Sequence, residues 1–319
     1  MKRFLFAFWL ALPAFGQEEP FIVGDAARFH ELVPAEARLE TLGADFKFTE
    51  GPVWIGGDDG HLIFSDMGAN ELKKWTPAAG FSTYRKPSQR TNGNALDPEG
   101  RLISCEQGQR RVARVQPDGS SVAVADNYEG KKLNSPNDLA IRSDGTIWFT
   151  DPRYGEWHGP AELDSHCVFR VDGGGTVSIA AKDFKLPNGI CLSPDEKILY
   201  VGQGGGQNVI YAYDIAADGA LANGRKLCTP RQGLPDGFKC DALGNLYITS
   251  NAGVEIFTPA GEYLGTIRVQ PRPANVAFGG PGRKTLFITA HGCLYRIELK
   301  TAGAPPPADP KANNPGEQP

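Results

Sequence analysis

The longest apolar run of this chain, Phe4 to Leu12, falls far short of the roughly 20 residues that a membrane-spanning helix needs. No long basic run accompanies the net charge of −4, which argues against nucleic acid or an anionic membrane surface as partner. No Cys-x-x-Cys pair or Cys/His cluster is present, so nothing points to structural zinc. The six cysteines (105, 167, 191, 228, 240 and 293) are scattered, several inside apolar runs such as Ile190-Cys191-Leu192. They read as buried free thiols with at most one incidental bridge. A Gly-x-Ser-x-Gly elbow is also missing, which leaves a serine nucleophile without support. Methionine is scarce (2) while glycine (39) and proline (25) abound, a composition suited to many short strands joined by tight turns.

Both ends read as dispensable to the fold. Lys2 and Arg3, the apolar run behind them and the small-x-small sequence Ala14-Phe15-Gly16 have the layout of a signal peptide spanning residues 1–16. Export to a periplasmic or extracellular space is the expectation. Residues 301–319 are rich in Pro, Ala, Asn and charge, and predict a disordered tail. One domain over residues 17–300 remains.

A segment recurs within that domain: a turn, an apolar strand, a short glycine-bearing loop and a second apolar strand. Its clearest copy runs from Pro136-Asn137-Asp138 through Asp144-Gly145 to Trp148-Phe149-Thr150. Six copies start at residues 50, 92, 137, 188, 236 and 274, at intervals of 42, 45, 51, 48 and 38. A propeller blade consumes about 40–50 residues. Two further strand-like runs follow each hairpin, so the pattern predicts an all-β, six-bladed propeller with four antiparallel strands per blade. The last copy is one strand short, and the run Arg38-Leu39-Glu40-Thr41-Leu42 ahead of the first copy belongs to no blade. It is expected to supply the missing outer strand and close the ring.

Comparing the same position in every copy gives the column Glu50, Asn92, Asn137, Asn188, Asp236 and Ala274. This position opens the innermost strand, so these side chains converge at one mouth of the central channel. Taken singly, Pro-Asn-Gly and Pro-Asp-Gly are turn sequences. A turn, however, does not require an acid in one blade and amides at the matching position of others. Five of the six carry a side-chain oxygen, and no basic residue stands in the column to pair with the two acids. Carboxylates and amides facing one point are costly when dry. One hard divalent cation resolves this, calcium best, with magnesium, manganese or zinc also compatible.

The segments Phe48-Thr49-Glu50-Gly51-Pro52-Val53-Trp54, Ser135-Pro136-Asn137-Asp138-Leu139, Leu186-Pro187-Asn188-Gly189-Ile190 and Leu234-Pro235-Asp236-Gly237-Phe238 resemble the signatures of the gluconolactonase/regucalcin (senescence marker protein) family. Cys105 to Arg111 and Phe149 to Gly155 resemble its bacterial gluconolactonase branch. The resemblance covers roughly residues 30–299 and implies a six-bladed propeller with an axial divalent ion. Its ligands would be Glu50, Asn137, Asn188 and Asp236, with Asp236 also the catalytic proton donor and acceptor. The implied substrate is a small sugar lactone.

Asn92, Asp138, Tyr154 and His291 are candidates for substrate contact or support of the ligands. Asn92 and His291 also fit ordinary turns. Tyr154 belongs to a long loop, Arg153 to Ser165, placed to cover the mouth. Glu106, Arg110 and Arg111 read either as mouth residues or as a solvated charge cluster. Two other functions share the pattern. One is a calcium-dependent aryl-ester or organophosphate hydrolase on the same propeller. The other is a non-catalytic binding propeller, which has no need of the two column acids.

Overall fold

Alternating side chains along a strand point to opposite faces, and in this chain both faces are apolar. Leu62 and Phe64 pack toward one neighbouring blade while Ile63 packs toward the other. The same happens in every blade, giving six buried clusters, one at each blade junction. A sheet buried on both faces by its neighbours is what a ring of blades requires.

The computed structural model describes residues 19–154 and 159–307. The predicted signal peptide lies outside the described residues. The six blades start with the strands Thr49–Ile55, Thr91–Leu96, Leu139–Ile141, Leu186–Leu192, Phe238–Cys240 and Asn275–Gly279. Each of these touches the first strands of its two neighbours, closing a ring around the axis. Blades one to four are four-stranded antiparallel sheets in chain order. Blade six has three strands from the C-terminal part, and Glu40–Gly43 pairs with Cys293–Glu298 as its fourth. The ring therefore closes with the N-terminal strand that the shortfall predicted.

The repeated hairpin loop has a local cause. In blades two and five an aspartate, Asp97 or Asp241, accepts backbone N–H bonds from residues two and four further on. The fourth loop residue then takes a left-handed conformation, as Gly100 and Gly244 do. Blade four places Glu196 there at φ +57°. Its carboxylate accepts from the backbone and hydroxyl of Ser143 in blade three, an interaction that offsets the strain and that glycine lacks.

Two features depart from expectation. Phe21–Val23 adds a fifth strand to blade five, followed by the helix Ala26–Leu32, which Asp25 caps. Phe29 and Leu32 of that helix are buried against blades five and six. The predicted tail also starts too early. Gly303 bridges Asp241, and Ala304 N–H donates to the Cys240 carbonyl at 3.1 Å. Residues 302–304 are thus tied to blades five and six, and 308–319 lie outside the described residues. All six cysteines are free, with the Cys191 and Cys240 sulfurs 3.5 Å apart.

Candidate active site

The column residues meet at one mouth of the channel. Glu50, Asn92, Asn137, Asn188 and Asp236 line a single cavity of about 510 Å³. All five are only 4–6% exposed, so their polar atoms have little but that cavity to face. The glycine after a column residue explains how the strands come so close. A Cβ on Gly51, at φ +48°, would lie 2.0 Å from the Asn92 carbonyl, and one on Gly189 would lie 2.3 Å from that of Asp236. Hydroxyls then lock blade to blade: Ser65 donates to the Asn92 carbonyl, and Thr150 to that of Asn188, each at 2.7 Å.

The side chains differ in how far they are satisfied. Glu50 Oε2 accepts from its neighbour's backbone, Gly51 N–H, at 2.8 Å and from Asn275 Nδ2 at 3.1 Å. Asn188 Nδ2 donates to the Tyr154 hydroxyl at 3.1 Å. The Asn92 and Asn137 amides have no hydrogen-bond partner among the described residues and open to the cavity, where a bound group can pair with them. Burial, reinforced by Asp236 and Asp138, pushes the Glu50 carboxyl well above its ordinary range. Asp236 is also raised by burial, with Arg272 opposing the shift. Two carboxyls that resist ionisation and two amides without partners among the described residues form a set that a cation would complete.

Residues 48–292 match the SMP-30/Gluconolactonase/LRE-like region family. The chain belongs to that family. It is 35% identical over 305 residues to a gluconolactonase of Zymomonas mobilis, which covers 86% of this chain and 85% of that one. A solved gluconolactonase of Xanthomonas campestris superimposes with a TM-score of 0.82 at 35% identity, covering 88% of this chain and 94% of that one. Diisopropyl-fluorophosphatase of Loligo vulgaris is 26% identical over 307 residues, 86% of this chain and 96% of the relative.

In this family member the remaining candidates fall in different places. Tyr154 lines the cavity, where burial pushes its hydroxyl well above the ordinary phenol range. Residues 155–158 of its loop lie outside the described residues. Asp138 and Asn275 occupy the position that is glycine in the other four blades, and their side chains meet on the axis instead of lining the mouth. Asp138 Oδ2 is 3.4 Å from Lys239 Nζ and accepts from Asn275 Nδ2 at 3.5 Å. His291 is exposed at φ +47°, its ring edge-on to Phe48, and it does not line the cavity. Glu106 is neither a mouth residue nor solvated: it is fully buried between the guanidinium groups of Arg85 and Arg111. Arg110 turns away to the Leu133 carbonyl at 2.6 Å.

The expectation that no basic group pairs with the column acids fails at Asp236. Arg272, from the loop before blade six, donates Nη2 to Asp236 Oδ2 at 3.0 Å. Arg272 lies outside the repeated hairpin, so no position of the column marks it. Arg272 and Arg90 share the cavity wall with Gln107, while Phe48, Met67 and Leu234 give it an apolar side.

Proposed function

We propose that this protein hydrolyses a sugar lactone, with Asp236 as the proton-transferring residue and one divalent cation held by Glu50, Asn137, Asn188 and Asp236. The observation that carries the reading is the meeting of two buried carboxyls and three amides in one cavity, two of those amides open to it with no partner among the described residues. Among the described residues no group of three His, Cys, Asp or Glu side chains is placed to hold a metal. The site therefore depends on amide oxygens for half its protein ligands, a donor set suited to calcium. When bound, the cation would supply Lewis-acid polarisation of the lactone carbonyl.

The chain's own residues account for the proton. Water adds its oxygen to the acyl carbon, and Asp236 accepts the proton released. As the ring C–O bond breaks, Asp236 returns that proton to the departing oxygen, leaving a hydroxy acid. Arg272 fixes one oxygen of Asp236 at 3.0 Å, which leaves the other to face the cavity. Arg90, Gln107 and Tyr154 offer polar groups to sugar hydroxyls, and Met67 and Leu234 offer a surface for a ring face.

A panel of aldonolactones, aryl esters and phosphotriesters tests the reading. Aldonolactones are expected to turn over fastest, thorough chelation to abolish turnover, and calcium to restore it. The similarity to diisopropyl-fluorophosphatase gives the second reading its footing. Turnover of phosphotriesters alone would establish that reading, and activity untouched by chelation would remove the cation from the mechanism. Export is part of the proposal too: N-terminal sequencing of the mature protein is expected to begin at Gln17, and an intact Met1 would refute it.

A further inference from the structure

Behind the column runs a second set of side chains. The second strands of the blades end at or next to Asp66, Glu106, Asp151, Gln203, Ser250 and Ala290. Pairing sets Asp66 opposite Thr49, Glu106 opposite Thr91 and Gln203 opposite Pro187, each one residue before its column position. These residues are therefore placed to reach the loop that feeds the column.

What they do there differs by blade. Asp66 Oδ1 accepts from Lys47 and Phe48 N–H, both at 3.1 Å, just before Glu50. Asp151 accepts from Asn134 and Ser135 N–H, both at 2.7 Å, just before Asn137. Gln203 Oε1 accepts from Lys185 N–H at 3.2 Å, before Asn188. In blade five Ser250 donates to Glu255, and Glu255 Oε2 accepts from Arg231 N–H at 2.8 Å, on the way to Asp236. Asp66, Asp151, Gln203 and Glu255 are 0–4% exposed, so none is a loose surface contact. The two blades that supply none of the four proposed ligands have no such buried acceptor at this position among the described residues, although in blade two Arg90 N–H, before Asn92, donates to Asn70 Oδ1 of blade one at 2.8 Å. Glu106 of blade two is taken up by Arg85 and Arg111, and blade six has Ala290.

We infer that Asp66, Asp151, Gln203 and Glu255 are positioning residues for the cation site, each fixing the backbone that delivers one ligand. The inference rests on the cation reading above. A buried loop N–H needs an acceptor, and a carboxylate binding two adjacent N–H groups removes the loop's freedom to shift its ligand. Partners that orient metal ligands typically cost 10–100-fold in affinity when removed.

Calcium titration calorimetry on chelator-stripped protein, with folding checked by circular dichroism, tests this. Asp66→Asn and Asp151→Asn are expected to weaken calcium binding about 10–100-fold. Glu106→Gln, which removes an equally buried carboxylate at the matching position, is expected to leave affinity within about threefold while lowering the melting temperature. The inference is overturned if both aspartate variants bind like wild type, or if Glu106→Gln weakens binding as much as they do. Should Asp151→Asn fail to fold, Asp66→Asn decides alone. A wild-type protein that binds no divalent cation would overturn the cation reading itself, and this inference with it.

Discussion

Asp236→Asn is expected to lower kcat/KM for an aldonolactone about 10²–10⁴-fold, the range that a positioned acid–base group contributes. The substitution keeps the size and shape of the side chain but removes the basic oxygen. It leaves the local backbone intact, because the backbone there is held by main-chain bonds: Asp236 N–H to Thr249 O at 3.0 Å and Gly237 N–H to Ala274 O at 2.7 Å. Arg272 loses its partner but is about a third exposed, so water can take the carboxylate's place. Asn188 and Asn137 are amides already, which makes an amide at 236 sterically ordinary. Glu50→Gln separates the two roles of the acids. It removes the charge of a proposed ligand without removing the proposed base, so excess calcium should recover part of the Glu50→Gln activity and none of the Asp236→Asn activity. Activity within fivefold of wild type for a folded Asp236→Asn protein would end the assignment of Asp236 as base.

The propeller was legible because its cause repeats. Four of the hairpins close a four-residue loop on a left-handed residue, Gly100, Gly145, Glu196 or Gly244, three of them opening on Asp97, Ser193 or Asp241, and alternation with both faces apolar marks strands buried between blades. The missing strand of blade six was legible for the same reason, as a shortfall in a counted pattern. The column followed by register alone, and its residues do converge on one cavity. What stayed hidden does not repeat. Arg272 comes from a connecting loop, and Lys239 reaches Asp138 across 101 positions of chain. Phe21–Val23 has three residues, too few to show a period. Residues 302–304 look like linker by composition, and are held through their backbone, which composition does not record. Asn275 was findable: it breaks the run of glycines that follows the column in four of the six blades.

Metal-free protein is expected to lose thermal stability as pH rises from about 5 to 8, and calcium to suppress that loss. Burial pushes Asp151 up to about 7 and raises Glu50 and Asp236 above the ordinary carboxylate range. In the unfolded chain these groups ionise near their usual values, around 4. Between those limits the folded state binds more protons than the unfolded one, so the stability they contribute is present at low pH and lost as pH climbs through the folded values. Each excess proton is worth about 1.4 kcal/mol per pH unit. For a domain of this size, one proton over two units corresponds to a fall in melting temperature of about 5–10 °C. A cation works in the opposite sense, since it binds the ionised carboxylates of Glu50 and Asp236. At a hundredfold excess over its Kd it adds about 2.7 kcal/mol, enough to offset roughly that one proton. Differential scanning calorimetry across this pH range, with chelator and with calcium, reads both slopes. Glu50→Gln cannot ionise at that position, so its metal-free slope should be shallower than that of wild type. A metal-free melting temperature that stays level or rises from pH 5 to 8 would mean that these buried acids are already charge-compensated by the protein. The column would then have no electrostatic need of a cation.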